Sequence, residues 1–299
     1  MSIAYVLYNP YSDNNTGKEK AENVRKVYDK EVVMTDITAI TSYADFFGAI
    51  APEDEIIVSG GDGTLNRFIN DTDGLDVTND VLYFATGTGN DFLRDMEKQV
   101  GCAPFSVKEV IRDLPIVTVK GKDYRFINGV GFGIDGYCCE VGDKIREKTP
   151  GKPINYTAIA IKGLLFHYKP ANAKVTVDGV EHSFKKVWIA PTMVGRYYGG
   201  GMMPAPGQRR EDRLDHVSVS LMYHAGKLGT LMSFPNLFKG QHLKKEKSTA
   251  VFAGKEIKVE FDRPTALQID GETILDVTSY QVRLAQTASP KAPVAVATV

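Results

Sequence analysis

Two glycine turns carry carboxylate, amide and hydroxyl groups at the ends of apolar runs, a combination suited to a phosphorylated ligand. The first is Ser59-Gly60-Gly61-Asp62-Gly63-Thr64-Leu65-Asn66, which follows Ile56-Ile57-Val58. Leu65, Phe68 and Ile69 have helical spacing, so the context is strand, tight turn and helix start. Glycines let backbone N–H groups approach a ligand without obstruction by a Cβ. Thr64 is expected to cap the helix, whose N-terminus favours an anion. Asp62 would repel a phosphate unless a cation lay between them. The turn therefore reads as a nucleotide site in which Asp62 acts through Mg²⁺. A glycine turn without a ligand fits the same spacing, and the chain has no G-x-x-x-x-G-K-[ST] loop.

The second turn, Thr86-Gly87-Thr88-Gly89-Asn90-Asp91, lies between a strand-like run at 81–85 and Phe92-Leu93. Two such turns at strand ends of one sheet can converge on one ligand, and the pairing favours the nucleotide reading. A third glycine run, Gly131-Phe132-Gly133-Ile134-Asp135-Gly136, matches G-x-G-x-x-G but has no acidic residue about 20 positions on. It reads as a crossover from a strand at 126–130 into a helix. The glycine-, aromatic- and methionine-rich loop at 195–204 would suit a pliable wall around an apolar ligand, with Arg196 available for a phosphate. Asp270-Gly271-Glu272, by itself, reads as a hairpin turn, as does Asp178-Gly179.

The elements that must position these groups change character along the chain. Up to about residue 120, strand and helix signals alternate: helices at 18–28, 43–50 and 107–114, strands at 3–8, 31–34, 55–58, 81–85 and 116–119. That alternation predicts a parallel sheet with helices on both faces. Beyond it, strand runs dominate, at 174–177, 180–184, 187–190, 217–222, 249–252, 257–261, 266–269 and 280–284. Two helices, 156–165 and 228–238, interrupt them. The expected domains are 1–120, a nucleotide-binding α/β domain, and 121–285, an antiparallel β-sandwich. The tail, 286–299, is expected to pack back on the first domain or to be disordered.

Composition narrows the function classes. At 299 residues the chain can form two domains, each with its own core. A formal net charge of −1 gives no reason to expect nucleic acid. No signal peptide is evident, and the longest membrane candidate, 157–166, is broken by Lys162. Membrane contact would then be peripheral. Cys102, Cys138 and Cys139 make no disulfide framework and lack zinc-ligand spacing with any histidine, which predicts a reduced, cytoplasmic protein. The basic run at 239–247 would add on the order of 1 kcal/mol per Lys at an anionic bilayer. Exposed strand edges would allow a homodimer.

Taken together, these residues resemble the diacylglycerol kinase-like family of lipid kinases, within a wider group that includes NAD kinases and phosphofructokinases. The resemblance rests on Asn9-Pro10, Gly60-Gly61-Asp62-Gly63-Thr64-Leu65-Asn66, Gly87-Thr88-Gly89-Asn90-Asp91, Asn128-Gly129-Val130-Gly131-Phe132-Gly133, the 198–202 loop, Asp212-Arg213-Leu214-Asp215 and Asp270-Gly271-Glu272. It implies ATP bound between an α/β domain of NAD kinase and phosphofructokinase type and a β-sandwich. Asn9, Pro10, the 60–66 turn and Thr88, with Gly89, Asn90 and Asp91 beyond it, are the nucleotide-binding candidates. It implies Glu272 as the base that takes the proton from a lipid hydroxyl, with Asp62 and Asp270 organising Mg²⁺ and the phosphates. A second, structural Mg²⁺ would be held by Asp212 and carbonyls around Arg209 and Leu214. This chain departs from the family pattern at Arg67, Arg213 and Val194, where a glutamate, a glycine and an amide are usual. The resulting expectation is an ATP- and Mg²⁺-dependent lipid kinase, cytoplasmic and peripheral at the inner membrane surface. The alternatives are an NAD kinase-like enzyme with a soluble substrate, and a non-catalytic nucleotide- or lipid-binding regulator on the same scaffold.

Overall fold

The computed structural model describes residues 2–87, 90–149, 152 and 154–285. The expectations for Thr88, Gly89 and the 286–299 tail fall outside the described residues.

In the first part of the chain, β1 (Ala4–Tyr8), α1 (Ser12–Asn15), α2 (Gly17–Glu22), β2 (Val32–Asp36), α3 (Tyr43–Ala49) and β3 (Glu55–Gly60) precede the first glycine turn. After it come α4 (Asp62–Asp71), β4 (Asp80–Ala85), α5 (Asp91–Asp95), β5 (Phe105–Ser106) and α6 (Lys108–Arg112). The sheet order is β2-β1-β3-β4-β5, parallel except for the antiparallel β5 edge. Ile56, Ile57 and Val58 of β3 are all fully buried. Ile56 and Val58 pack with Leu65 and Phe68 of α4, whereas Ile57 packs with Val6, Ala21 and Val24 on the opposite face. A strand covered on both sides reads as a continuous apolar run, which is why this half was legible as parallel sheet. The helix expected over 18–28 tightens after Glu22 into a 3₁₀ turn, Asn23–Lys26. There the Asn23 amide donates back to the Lys20 carbonyl at 3.2 Å, a local bond that competes with helix continuation.

The second part comprises β6 (Ile116–Val119), β7 (Lys122–Arg125), β8 (Gly129–Gly133), α7 (Ile134–Lys148), α8 (Tyr156–Lys162) and a π-helical turn, Gly163–His167. It continues with β9 (Ala171–Val177), β10 (Val180–Val187), β11 (Ile189–Met193), β12 (Val217–Met222), α9 (Lys227–Leu237), β13 (Thr249–Gly254), β14 (Glu256–Ile269) and β15 (Glu272–Arg283). These strands form one ten-stranded sheet, antiparallel throughout. Its hub is β14. Residues 257–261 of that strand pair with β9, and residues 267–269 pair with β8. Register shifts against β15 between Glu260 and Leu267 let it bend. The two strands expected at 257–261 and 266–269 are therefore one bent strand, and the sheet folds over a shared core that includes Val175, Val219, Val259 and Leu267.

Two further differences bear on the site. The division expected at residue 120 meets β6 already paired with β7 and β15, so the second sheet starts at Ile116. The strand-to-helix crossover at the third glycine run is present, but its helix is long, because Ile134, Cys138, Val141 and Ile145 form one stripe against the second core cluster. Gly133 makes the corner at φ 132°, where a Cβ would lie 2.3 Å from the Trp188 carbonyl oxygen. No side chain larger than hydrogen fits there.

Candidate functional site

Asp270 and Gly271 join β14 to β15 with both residues in the left-handed region, at φ 47° and 94°. This is the backbone of a two-residue hairpin turn. The turn folds the Asp270 carboxylate onto the entry of β8. Oδ1 accepts from the backbone N–H groups of Asn128 (2.8 Å) and Gly129 (2.9 Å). Oδ2 accepts from the N–H of Ile127 (2.6 Å) and from the Asn66 amide on α4 (2.7 Å). Burial pushes the Asp270 carboxyl up, while the N–H donors and the Arg210 charge act against that rise. With both oxygens filled by N–H donors, the geometry accommodates the carboxylate and leaves no place for a proton. Asn66 also donates to the Arg125 carbonyl, and the Asn70 side chain exchanges two bonds with the Arg125 backbone. One carboxylate thus fastens α4 of the first part to the second.

The structure revises the direction in which Asp62 points. The N-cap of α4 is Gly61 rather than Thr64, so Asp62 is the first helical residue. Its Oδ2 accepts from the N–H groups of Asp91 (2.9 Å) and Phe92 (3.3 Å) at the start of α5, and from the Asn128 amide (2.9 Å). Its Oδ1 is buried and has no hydrogen-bond partner among the described residues. Burial, then the charges of Asp91 and Asp270, push its carboxyl up to about 7. A buried carboxylate oxygen without a donor is satisfied by a proton or a cation. The two glycine turns do converge, as expected: Thr86 N–H donates to the Gly60 carbonyl at 3.0 Å. A Cβ on Gly87 would lie 3.1 Å from the Gly61 Cα, so the small residues serve the contact between turns as much as access by a ligand. Asn90 caps α5 by accepting from Leu93 N–H at 2.7 Å, and Asp91 accepts from Gly200 N–H at 2.7 Å. Both are placed as fasteners, with Asp91 tying down the 195–204 loop.

Beneath these carboxylates lies the guanidinium of Arg210, which no local motif marks. Arg210 is buried and donates to Asp95 Oδ2 (2.9 Å), to Asn128 Oδ1 (3.1 Å) and to the Ile127 carbonyl, with its plane 4.6 Å from the Phe92 ring centroid. Arg196, read as free for a phosphate, is instead bound to the other oxygen of Asp95 at 2.9 Å. Asn128 joins the system at both ends, donating to Asp62 and accepting from Arg210. Burial lowers the Arg210 pKa, and the charges of Asp95, Asp270 and Asp62 oppose that.

At the residues expected to hold a structural magnesium, Asp212 Oδ2 accepts from the Arg209 N–H at 3.0 Å and its Oδ1 lies 3.7 Å from the exposed Arg209 guanidinium. The Arg209 carbonyl accepts from Asp212 N–H at 3.0 Å. Together they cap the 3₁₀ turn Arg210–Leu214, and the Leu214 side chain is exposed. Among the described residues no group of three or more His, Cys, Asp or Glu is placed to hold a metal. Arg213 and Val194, two of the departures, are built into the structure. Arg213 donates to the carbonyls of Arg210 and Glu109, and Val194 is a core residue.

A cleft of about 1090 Å³ opens in front of this network. Of the candidates, Asn9, Gly63, Thr64, Asn66 and Glu272 line it. Gly60, Leu65 and Asp91 are buried, Asp270 is half-buried, and Asp62, Asp91 and Asp270 are not among the lining residues. Asn9 shapes the loop after β1, accepting from Tyr11 N–H at 2.9 Å through its side chain, with Pro10 at the bend. Glu272 begins β15, and its Oε1 comes within 3.9 Å of where a Gly63 Cβ would be. Among the described residues its carboxylate has no hydrogen-bond or ion-pair partner. A free carboxylate therefore faces the first glycine turn across the cleft.

The profile for the diacylglycerol kinase catalytic domain matches residues 3–118, and that for the YegS C-terminal NAD kinase beta sandwich-like domain matches residues 128–292. The chain belongs to the diacylglycerol kinase-like lipid kinase family. A diacylglycerol kinase of Mycobacterium tuberculosis (strain ATCC 25618 / H37Rv) is 26% identical over 213 residues, covering 69% of this chain and 67% of that one. A diacylglycerol kinase of Bacillus subtilis (strain 168) is 24% identical over 284 residues, covering 91% and 90%. A crystal structure of a diacylglycerol kinase from Bacillus anthracis str. Sterne shares the fold at TM-score 0.58, with 17% identity and coverage of 95% and 93%.

Two outcomes follow from the buried charges. The Asp62 carboxyl is pushed up to about 7 from 3.8, so its contribution to stability is full below about pH 4 and is lost as pH rises through 7. Asp62→Asn should therefore raise the melting temperature of the metal-free protein at pH 8 relative to wild type, and much less at pH 5. Equal shifts at the two pH values would contradict this. Arg210→Ala leaves Asp95 buried with only the partly exposed Arg196, and should cost about 3–5 kcal/mol in urea unfolding. A loss under about 1 kcal/mol would show that the pair is not the buried ion pair described.

Proposed function

We propose that this chain transfers the γ-phosphoryl group of ATP to the hydroxyl of a diacylglycerol-like lipid in a magnesium-dependent reaction. The observation that carries the reading is the unpartnered Glu272 carboxylate facing Gly63 across the cleft. Phosphoryl transfer asks a protein mainly for positioning and for charge neutralisation around the transferred group. The ten-residue helix α4 begins at Gly61, and the free N–H groups at its start favour phosphate oxygens. The Asn9 loop and Thr64 shape the same wall of the cleft.

Glu272 acts as the acceptor for the hydroxyl proton as the oxygen attacks the γ-phosphorus and ADP leaves. The hairpin behind it supplies rigidity, because Asp270 fixes the turn from which Glu272 projects. Asp62 fits a magnesium ion through its one undonated oxygen, Oδ1. Such an ion, when bound, supplies positive charge to the phosphate oxygens. The ion-free Asp62 carboxyl, raised to about 7, is also one whose ionised form a cation would stabilise.

Glu272→Gln should lower kcat for transfer from ATP to a diacylglycerol by about 10²–10⁴-fold while leaving the KM for ATP near that of the wild type. Measurement is by labelled phosphate in the lipid phase. Undiminished turnover would remove Glu272 from this role.

A further inference from the structure

Helix α9 is apolar on both faces: Leu231, Phe234 and Leu237 pack on the second core cluster, yet large apolar side chains also face outward. Its sequence, Lys-Leu-Gly-Thr-Leu-Met-Ser-Phe-Pro-Asn-Leu, buries Thr230 and Ser233 at 2% and 5% exposure. It turns Leu228 and Met232 outward, at 70% and 77%. These two are four positions apart and share one face. The buried Thr230 hydroxyl has no hydrogen-bond partner, and Ser233 Oγ donates to its own helix at the Gly229 carbonyl, 2.6 Å away. A helix whose outer face meets only water arranges these residues the other way round.

The apolar face extends beyond α9. Lys227 Nζ donates to the Leu165 carbonyl at 2.8 Å, fastening the start of α9 to the π-helical turn, and the two elements pack together. That turn exposes Phe166 at 71%, and α8 just before it exposes Ile161 at 40%. At its other end α8 begins with Tyr156, which lines the cleft together with Ile154 and Lys152. The short helix α8 therefore links the exposed apolar turn to one wall of the cleft.

Charge around this surface has one sign. The chain carries 37 acidic residues against 36 basic ones, yet neither residues 148–177 nor residues 216–245 contain a single Asp or Glu. These two stretches supply α8, the π-helical turn and α9. They carry Lys162, Lys169, Lys227, Lys239, Lys244 and Lys245, all exposed. A third acid-free stretch, residues 182–210, lies between them in sequence, and the fold brings the first two together through α8, the π-helical turn and α9.

We propose that the face formed by α9 and the π-helical turn docks on an anionic lipid bilayer, with Leu228, Met232 and Phe166 entering the headgroup boundary and the lysines meeting acidic headgroups. An apolar face built from lysine-bearing segments that themselves contain no carboxylate has the chemistry of an interfacial helix, with Glu140, Asp143 and Glu147 set back on the neighbouring α7. Docking there sets the cleft wall carrying Tyr156 at the bilayer surface, so an acceptor lipid reaches Glu272 without crossing bulk water. The use of the surface rests on the lipid kinase reading, but binding can be measured without catalysis.

The test is co-sedimentation of the full chain with vesicles of equal parts phosphatidylglycerol and phosphatidylcholine, and with phosphatidylcholine vesicles alone. Wild type should bind the mixed vesicles at least about tenfold more tightly, with the preference lost at high salt. Leu228→Ser/Met232→Ser should weaken binding by about tenfold or more. Val180→Ser, at a 59% exposed apolar position on the β9–β10 hairpin, should leave it unchanged. On a water-soluble short-chain diacylglycerol the double variant should match wild-type turnover, and on vesicle-embedded diacylglycerol it should fall with binding. Equal binding by the double variant, or no preference for the anionic vesicles, overturns the proposal. So does a wild-type dimer that the double variant dissociates while vesicle binding is untouched, which would assign the face to a second copy of this chain. Vesicle binding as described, with no lipid phosphorylated, would uphold the docking face and defeat the lipid kinase reading alone.

Discussion

Four N–H groups converge on the Asp270 carboxylate, three from the backbone entering β8 and one from Asn66 on α4. Much of the site depends on that convergence. It holds the helix that carries the first glycine turn against the sheet that carries Glu272, across a sequence separation of 204 residues between Asn66 and Asp270. It also sets the direction of the hairpin, because a left-handed Asp270 can present its side chain to β8 only while the turn keeps its form. A charged acceptor shared by four donors is strong and directional, and removing it would leave several buried N–H groups without partners. The cleft is thus framed by a junction that resists sliding.

Behind the junction the charges are arranged at some cost to stability. Asp62, Asp91 and Asp270 lie close enough to raise one another's proton affinity. Arg210 is the buried cation among them, and it reaches Asp62 only through Asn128. Two guanidinium groups lie beside carboxylates here, the exposed Arg209 beside Asp212 and the buried Arg210 on Asp95. The first glycine turn is left with a carboxylate whose Oδ1 lacks a donor. An unsatisfied buried polar atom beside a cleft is the kind of local defect that a functional site retains.

Features carried by contiguous residues were legible in the sequence. The 60–66 and 86–91 turns sit at the ends of apolar strands, and their convergence could be inferred from sheet topology alone. The strand-rich second half was also readable, although the bend in β14 was not, since register shifts leave no mark on an apolar alternation. What escaped notice depends on distant partners. Asp62 was taken to face the ligand, but N–H groups at 91 and 92 turn it inward. Arg210 lies in a run of charged residues that would ordinarily be solvated, and only Asp95, 115 positions away, makes it a core residue. Thr64 looked like a cap because hydroxyls often are, whereas the close contact between turns starts α4 three residues earlier, at Gly61. Glu272 followed from the family resemblance, since its local sequence is that of any Asp-Gly hairpin.

The central claim is that the Asp270 junction sets Glu272 opposite the glycine turn for transfer to a lipid. The most direct measurement compares wild type with Asp270→Asn for transfer of labelled phosphate from ATP into a total lipid extract, the product being identified by mass. The substitution keeps the size of the side chain but turns an NH₂ donor toward backbone N–H groups. The account predicts a labelled lipid with wild type, and loss of that product with Asp270→Asn while the variant remains folded and binds ATP. Wild-type labelling by Asp270→Asn, or a wild type that labels no lipid, would contradict it.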